Sequence, residues 1–377
     1  HVLSTTSGKS EMFNVIPTSY GGIYTVNDEH ILTLKASACK NLIYDENRER
    51  YRVRWLTKEG LKEESFSKSK YDVNYKEEAE KFLNKIENSE EYIKKGDIID
   101  IKLKDYMNLN KSSQDMFKGF SVGVEYENKN IDIDPYLYGL WLGDGTSKAS
   151  SITSADQEIV DYLNDWATEN RLKINKVGNY RYDITTGTNE GGARRNNFTN
   201  FLKDNNLWGN KHIIDKYKYN NRLTRMNLLA GLIDSDGSMT HNCYEIIFKN
   251  EKLAYDTVEL SRSLGFRTTI NKCEKTCVIS SNNRVTGVYH RIFISGDGLE
   301  KIPVLLERKK CNVRESKKDA CVSGIKIESI GEDEYFGFEL DNDGRFLLDD
   351  FTVTHNSTTT GHLIFKLGGI DKREMEK

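Results

Sequence analysis

The sequence predicts an α+β protein in which a twice-repeated unit of helix, strands and helix interrupts a strand-rich region. The first observation is a pair of closely similar segments, Leu137-Tyr-Gly-Leu-Trp-Leu-Gly-Asp-Gly145 and Leu229-Ala-Gly-Leu-Ile-Asp-Ser-Asp-Gly237. The second is that similar helical and strand-like runs follow both segments. The third is a set of strand-like runs near both ends of the chain.

Each repeated segment is an apolar stretch that ends in an acidic residue beside glycine. Small residues four positions apart fall on one helix face and allow two helices to pack closely. These small residues are Gly139 and Gly143 in the first segment, and Gly231 and Ser235 in the second. Such packing brings Asp144 and Asp236 side by side, and paired carboxylates suit divalent metals and phosphodiester hydrolysis. The alternative is two buried helices that end in capping aspartates.

The repeat extends beyond these segments. Apolar residues at helical spacing follow in Asp156–Asn170 and Glu251–Gly265. Short strand-like runs, Ser150–Thr153 and Tyr244–Lys249, lie between each segment and its helix. A matched pair of segments inside a longer repeat favours function over coincidence.

Composition excludes several protein classes. The 377 residues are 37% hydrophobic and 30% charged, which is typical of a globular protein. No apolar run reaches the roughly 18 residues of a membrane span, and the N-terminus carries no secretory signal. The six cysteines are scattered without zinc spacing and predict free thiols. We therefore expect an intracellular protein, cytoplasmic or nuclear, that is neither secreted nor membrane-bound.

The two segments resemble the paired signatures of LAGLIDADG (DOD-type) homing endonucleases, although Tyr138 and Trp141 depart from the consensus. The resemblance implies a monomer whose two αββαββα halves form a pseudo-twofold saddle over double-stranded DNA. It implies metal-dependent cutting of both strands with Mg²⁺, which Mn²⁺ can replace. The implied metal site consists of Asp144 and Asp236 with Gly143 and Ser235.

The same resemblance predicts one catalytic lysine for each half. Lys211, in Lys211-His-Ile-Ile-Asp, precedes the second motif at the position where the family often has one. Its partner is Lys309 or Lys310, of which we select Lys310. These lysines would stabilise charge on the phosphate or polarise the attacking water, and each could equally be a simple phosphate contact.

A local excess of positive charge predicts the DNA contacts. The net charge is −3, but residues 171–225 hold twelve Lys or Arg against four Asp or Glu. Phosphate contacts need such cations, and amide side chains beside them suit base edges. An ordinary solvated face is the alternative for any single residue. The predicted DNA-binding residues are Arg181, Arg194, Arg195, Lys203, Lys216, Lys218 and Arg222.

The C-terminal region suggests a second chemistry. A strand-like run from Phe346 ends in His355-Asn356-Ser357. An Asn amide can attack its own carbonyl and cut the following peptide bond, a His can protonate the leaving amine, and a Ser can accept an acyl group. With the upstream LAGLIDADG pair, this run is similar to the C-terminal splicing blocks of inteins. The resemblance implies a Hedgehog/intein-type all-β splicing domain.

The N-terminal region supports the same resemblance. The run Tyr24-Thr-Val-Asn-Asp-Glu-His-Ile-Leu-Thr-Leu34 resembles the intein block with an oxyanion-hole residue and a histidine, at Asn27 and His30. A turn with a surface histidine is the alternative. Only 29 residues precede His30, so we expect an N-terminally truncated fragment without its first nucleophile. The run Asp341-Asn-Asp-Gly-Arg345 lacks the histidine that the family often has there, although Asp343 could serve.

The residues after Asn356 suggest a host. Ser357–Arg373 resembles translation elongation factor 1-alpha just after its phosphate-loop Gly-Lys, which implies host exteins as partners. We expect residues 1–125 to form the first part of the splicing domain and residues 126–320 to form the endonuclease, with repeats at about 134–222 and 223–318. Residues 321–356 would complete the splicing domain, and residues 357–377 would be the host segment. The alternatives are a splicing-only intein with a decayed nuclease and a DNA-binding maturase.

Overall fold

A computed structural model describes residues 2–37, 41–187, 196–280, 283–314, 319–340 and 343–355. The chain divides into two compact units, the first formed by His1–Val122 with Val322–Lys377 and the second by Gly123–Cys321. Both helices and strands are present throughout, which confirms the α+β class. Within the described ranges, no helix is both long enough and apolar enough to cross a bilayer.

The elements of the first unit come from both ends of the chain. Before residue 123 they are β1 (Val2–Pro17), β2 (Tyr24–Asn27), β3 (Ile31–Ala36), β4 (Leu42–Asp45), β5 (Arg50–Thr57), β6 (Gly60–Ser67), α1 (Lys68–Tyr71), α2 (Tyr75–Glu87), β7 (Ile98–Lys102), α3 (Leu103–Asn108), α4 (Lys111–Gln114) and β8 (Phe117–Phe120). The chain returns to this unit at residue 322, after the second unit.

The elements of the second unit are α5 (Pro135–Asp144), β9 (Ser151–Thr153), α6 (Gln157–Glu169), β10 (Lys173–Val177), β11 (Arg181–Thr185), α7 (Asn197–Asp204), α8 (Asp215–Lys218), α9 (Arg222–Asp236), β12 (Gly237–Thr240), β13 (Cys243–Phe248), α10 (Glu251–Ser263), β14 (Arg267–Ser280) and β15 (Asn283–Ser295). The first unit then resumes with β16 (Val322–Ser323), β17 (Ile325–Leu340), β18 (Arg345–Leu347) and β19 (Val353–His355).

Antiparallel sheets build the first unit. Strand β1 pairs with β17 from Val2 opposite Leu340 to Pro17 opposite Ile325, and β2 joins its other edge. A second sheet has the order β16-β8-β3-β7, and β18 pairs with β19. Because side chains alternate between the faces of a strand, one face of each sheet is buried in a shared apolar core.

A smaller layer within the first unit pairs β4, β5 and β6 and packs against α2. Alternation along β5 places Val53 and Trp55 toward the helix, where the Trp55 ring meets Phe82 at 5.5 Å between centroids. Helix α2 ends at Glu87, before the turns that lead to β7.

The second unit contains one antiparallel sheet and one long helix in each half. The first half carries the sheet β10-β11-β9 with α6, and the second carries β12-β13-β15-β14 with α10. Helices α5 and α9 lie in the centre of one continuous apolar core. Both begin at side-chain caps, since Asp134 accepts from the Leu137 amide and Asn221 from the Thr224 amide.

Candidate active sites

Helices α5 and α9 pack backbone to backbone at two glycines. A Cβ atom placed on Gly139 would lie 2.3 Å from the Leu228 carbonyl oxygen, and one on Gly231 would lie 2.2 Å from the Tyr136 carbonyl oxygen. Both distances are far below van der Waals contact, so any side chain would force the helices apart. The small residues of the two motifs therefore fix how closely the helix ends approach.

The close approach brings the two motif carboxylates to one point. A Cβ atom on Gly143 would lie 2.0 Å from Ser235 Oγ and 3.3 Å from Asp236 Oδ2. Burial raises the pKa of Asp144 to about 6, and the neighbouring charge of Asp236 adds to the increase. Asp236 is open to solvent on one side, yet the protein atoms around its carboxyl also raise its pKa against the pull of Lys211 and Lys309.

One lysine from each half approaches this carboxylate pair. Nζ of Lys211 donates to the carbonyl oxygens of Gly143 at 2.9 Å and Gly145 at 2.7 Å. Burial lowers its pKa to about 8, although Asp236 and Asp144 oppose the change. Both carbonyls lie at the C-terminal end of α5, where cations bind favourably.

Lys309 contacts carbonyl oxygens near the end of α9, at positions further into the helix than those that Lys211 contacts on α5. Its Nζ donates to the carbonyl oxygens of Ile233 at 2.8 Å and Asp234 at 2.7 Å, and it lies 3.4 Å from that of Ser235. Burial lowers its pKa against the attraction of nearby acids. Lys310, the residue that we selected, instead points to the surface and pairs with Glu307 at 2.6 Å. The lysine beside the pair is therefore Lys309, because the turn Glu307–Lys309 directs successive side chains in different directions.

The donor set suits a hard divalent cation. Two carboxylates with raised pKa values repel each other, and a bound cation would relieve that repulsion. In the part of the chain that the structure describes, no group of three or more His, Cys, Asp or Glu could enclose a metal. Mg²⁺ commonly takes only one or two carboxylates and completes its shell with water and substrate phosphates, so the pair is sufficient. The carbonyls of Gly143 and Ser235 lie beside it, in contact with the lysines.

Four of the predicted DNA contacts lie at least partly at the surface, although three of them are tied to protein groups. Arg181 on β11 pairs with Asp183 at 2.7 Å, and Lys216 pairs with Asp132 at 2.9 Å. Arg222 donates to the Leu264 carbonyl at 3.0 Å. Lys203 is exposed, with its Nζ 5.1 Å from the centre of the Trp208 ring. Arg194 and Arg195 lie outside the described residues.

Lys218 is a structural residue, which corrects our expectation that it binds DNA. Its side chain is only 8% exposed and pairs with Asp256 at 3.2 Å and Glu259 at 2.9 Å. Burial lowers the pKa of Lys218, but the bond to Glu259 and the charge of Asp256 outweigh it and raise the pKa overall. A lysine enclosed by two carboxylates cannot reach a phosphate.

Sequence reasoning missed a polar row on the outward face of the four-stranded sheet. Arg267 and Asn271 on β14 alternate with buried Thr268, and Asn271 lies opposite Arg291 on β15. Arg291 lies 3.6 Å from Glu245 on the same face. The period-two alternation of Arg267-Thr-Thr-Ile-Asn271 was the available signal, but the segment lies beyond the basic stretch that we examined for charge.

The splicing residues that the structure describes come together in the first unit. His30 is fully buried, and its Nε2 lies 3.0 Å from Oγ1 of Thr354. Asn27 is also buried, and its side-chain oxygen has no hydrogen-bond partner among the described residues. His355 ends β19 opposite Arg345, while Asn356 and Ser357 lie outside the described residues. The strand pairing thus brings the N-terminal block to the residues just before the predicted junction.

An acidic group that we did not identify lies near His355. Asp100 on β7 accepts hydrogen bonds from Thr33 Oγ1 and Arg345 Nη2, both at 2.7 Å. Burial raises the pKa of Asp100, but these two bonds and the nearby His355 lower it overall. Asp343, named from the sequence, is instead largely exposed and 3.5 Å from Arg345.

Comparisons with known proteins agree with the nuclease motifs. Residues 217–323 match the family model described as homing endonuclease. The replicative DNA helicase DnaB of Mycobacterium intracellulare is 30% identical over 243 residues, which cover 62% of this chain and 37% of the helicase. The chain therefore spans little more than a third of that relative's length. Residues 217–323 are therefore similar to homing endonucleases.

Two solved structures also match. I-DmoI in complex with DNA and Ca is 18% identical, with a TM-score of 0.29 over 43% of this chain and 82% of its own. An I-DmoI variant in complex with its target DNA in the presence of Mg is 20% identical, with a TM-score of 0.29 over 43% and 88%. Elongation factor 1-alpha, the host that we expected, is not supported by these comparisons, since the relative described above is a DnaB helicase.

Proposed function

We propose that this chain is a site-specific endonuclease that cuts both strands of DNA with Mg²⁺. The observation that carries the proposal is the convergence of Asp144 and Asp236, with one lysine from each half, at the ends of two packed helices. Mn²⁺ is expected to replace Mg²⁺. Solved structures of I-DmoI are described as complexes with DNA and Ca, with DNA and Mn, and with DNA in the presence of Mg.

The chain's own residues have separate roles in this proposal. Asp144 and Asp236 would hold the cation, and a bound Mg²⁺ would supply Lewis acidity toward a phosphodiester oxygen and would acidify a water molecule. Lys211 and Lys309 place positive charge where the phosphate gains negative charge. Because carbonyl oxygens hold both ammonium groups, little reorganisation is needed when the phosphate arrives.

The proposed DNA surface combines partly or fully exposed cations from both halves of the second unit. In the first half these are Arg181 on β11, Lys203 on α7 and Lys216 on α8, and in the second half Arg267 and Arg291 on the sheet. Such cations provide phosphate contacts, and neighbouring amides such as Asn271 can read base edges. These contacts would set the orientation of the duplex over the carboxylate pair.

A cleavage screen tests the proposal without knowledge of the target. The full chain is incubated with Mg²⁺ and fragmented genomic DNA spiked with uninterrupted elongation factor 1-alpha and DnaB genes, and new double-strand ends are sequenced. We expect ends that cluster at one long site, and none with EDTA or with Asp236→Asn. Specific binding without cutting would instead support the decayed nuclease or the maturase.

We also propose that the first unit catalyses protein splicing. The observation in favour is the contact of buried His30 with Thr354, which directly precedes His355 and Asn356. In the C-terminal step, the Asn356 side-chain nitrogen attacks its own carbonyl carbon, and the bond to the Ser357 nitrogen breaks. The proton passes to the departing amine, with His355 as the acid.

Mass spectrometry of the purified chain tests the splicing proposal. We expect slow release of the peptide Ser357–Lys377 with a succinimide on the remaining chain. Asn356→Ala is the matched control and should release nothing. If the parent chain stays intact from pH 6 to pH 9 over days, the C-terminal step is absent.

A further inference from the structure

Each lysine of the nuclease site lies on a segment that is tied to the opposite half. Taking residues 134–222 as the first half and 223–318 as the second, Lys211 belongs to the first. Its carbonyl oxygen accepts a hydrogen bond from Asn250 Nδ2 at 2.8 Å. The next contact along the segment joins the Ile213 amide to Asp256 Oδ2 at 2.9 Å. Both partners come from the second half.

Lys309 shows the reverse arrangement. Its neighbour Arg308 donates from Nη1 and Nη2 to the two carboxylate oxygens of Asp156, at 2.7 and 2.9 Å. Asp156 belongs to the first half, so this two-bond pair joins the lysine segment of one half to the other half. Planar pairs of this kind fix orientation as well as distance.

The two contacts are equivalent by position. Asp156 is the residue before α6, and Asn250 is the residue before α10, at matching places in the two repeats. The sequence is different, but the site of attachment is retained. Within the described ranges, neither side chain is hydrogen-bonded to Asp144 or Asp236; both bond the lysine segments, and the negative charge of Asp156 also acts on Asp144.

We propose that Asp156 and Asn250 are positioning residues, each of which holds the lysine segment of the opposite half in place for cutting one DNA strand. The inference rests on the proposed nuclease function. The two lysines occupy the two sides of the carboxylate pair, and the strands of a duplex are related by a similar approximate twofold. Loosening one lysine segment therefore slows one strand more than the other.

Strand-resolved cutting provides a readout that a general loss of folding would not produce. The full chain cuts a duplex from the cleavage screen, labelled at a different end on each strand, under single-turnover conditions. Asp156→Asn removes one charged acceptor without deleting volume. Asn250→Asp removes the amide donor but keeps the oxygen that caps α10 through the Leu253 amide.

We expect Asp156→Asn to slow one strand about tenfold and Asn250→Asp to slow the other strand, because small displacements of a catalytic group have large effects on rate. Exchange of the pair, Asp156→Arg with Arg308→Asp, should restore much of the lost rate. Glu307→Gln is the matched control, since it removes a surface pair on the same turn that does not cross between the halves.

The outcomes separate the two proposals. The positioning role would be overturned by equal slowing of both strands, by an unchanged strand ratio, or by an exchanged pair that does not recover the rate. The nuclease proposal would still hold in each case if the parent chain cuts DNA. A parent chain that cuts no DNA in the screen overturns the nuclease proposal and this inference together.

Discussion

The two half-sites of the nuclease unit have the same charged groups but different supports. Lys211 contacts two carbonyls and lies 5.2 Å from the centre of the Trp141 ring. Lys309 reaches three carbonyls and is 7% exposed, and Ile233 occupies the position that corresponds to Trp141. The comparison indicates that the two aspartates and two lysines are constrained by the chemistry of the site. The residues that pack behind them, such as Trp141 and Ile233, can differ as long as they hold the lysines in place.

A second difference lies two residues before each motif aspartate. Asp234 accepts from Tyr136 Oη at 2.7 Å and from the Leu305 amide at 2.6 Å, so it ties α9 to the segment that leads to Lys309. The corresponding residue in α5, Leu142, is simply buried in the apolar core. Only the second copy of the motif therefore supports its lysine segment through a polar side chain at this position.

Removal of either carboxylate should abolish double-strand cutting, because both halves share one metal site. Asp144→Asn and Asp236→Asn should each reduce double-strand cutting by at least about a thousandfold, because an effect of roughly 4 kcal/mol is at stake when a metal ligand is lost. The measurement is the rate of linear product from a plasmid target in Mg²⁺. Retention of more than a tenth of the parent rate by either variant would contradict the shared site.

Removal of one lysine should slow the cutting of one DNA strand more than that of the other. Lys211→Met and Lys309→Met should each slow one strand by about a hundredfold, as expected when one charge-stabilising group is lost. Lys310→Met is the adjacent control and should change the cutting rate of either strand less than twofold, since Lys310 is exposed and pairs with Glu307 at the surface. Nicked plasmid should accumulate in the first two variants. A larger effect at Lys310 than at Lys309 would restore our original assignment.

Buried and exposed lysines of the basic segment should respond differently. Lys218→Met removes the buried ammonium group that pairs with Asp256 and Glu259 and should lower the free energy of unfolding by roughly 3 kcal/mol. Lys203→Met should leave the free energy of unfolding unchanged but weaken DNA binding. The slope of log affinity against log salt concentration should become shallower by about one. Urea unfolding and salt-dependent binding measure the two effects. Equal stabilities of the two variants would argue against a structural role for Lys218.

The smallest effect concerns stability and pH in the absence of metal. The folded pKa of Asp144 is about 6 against an ordinary 3.8, so the folded state holds this proton more tightly. Its contribution to stability is full below pH about 4 and is lost as pH rises through about 6. Asp144→Asn should therefore be more stable than the parent at pH 7.5 in EDTA, by on the order of 2 kcal/mol, with no difference at pH 4. Urea unfolding at the two pH values checks this, and a less stable variant at pH 7.5 would contradict it.

Much of the nuclease site was readable from the sequence because it depends on local periodicity. The glycine spacing, the aspartate at each helix end and the strands before α6 and α10 all follow from patterns of two or 3.6 residues. Helix α6 was expected over Asp156–Asn170 and extends over Gln157–Glu169. Short-range patterns of this kind specify an element before any tertiary contact forms.

The parts that could not be predicted depend on long-range contacts. Lys309 and Lys310 are neighbours with the same chemistry, and only the direction of the turn decides which one faces Asp144. In the sequence, nothing distinguishes Lys218 from the neighbouring cations. Its burial depends on Asp256, 38 residues later in the chain, which the fold places beside it. Asp100 and Arg345 are 245 residues apart, so no local pattern links them.

The most direct test of the central claim is to locate the bound metal. Fe²⁺ in place of Mg²⁺, with ascorbate and peroxide, generates radicals that cut the polypeptide next to the ion, and mass spectrometry identifies the cut positions. With target DNA present, we predict cuts confined to residues 143–145 and 235–237, and none in the Asp144→Asn, Asp236→Asn double variant. Cuts elsewhere, or cuts that persist in the double variant, would contradict a shared metal site at the ends of α5 and α9.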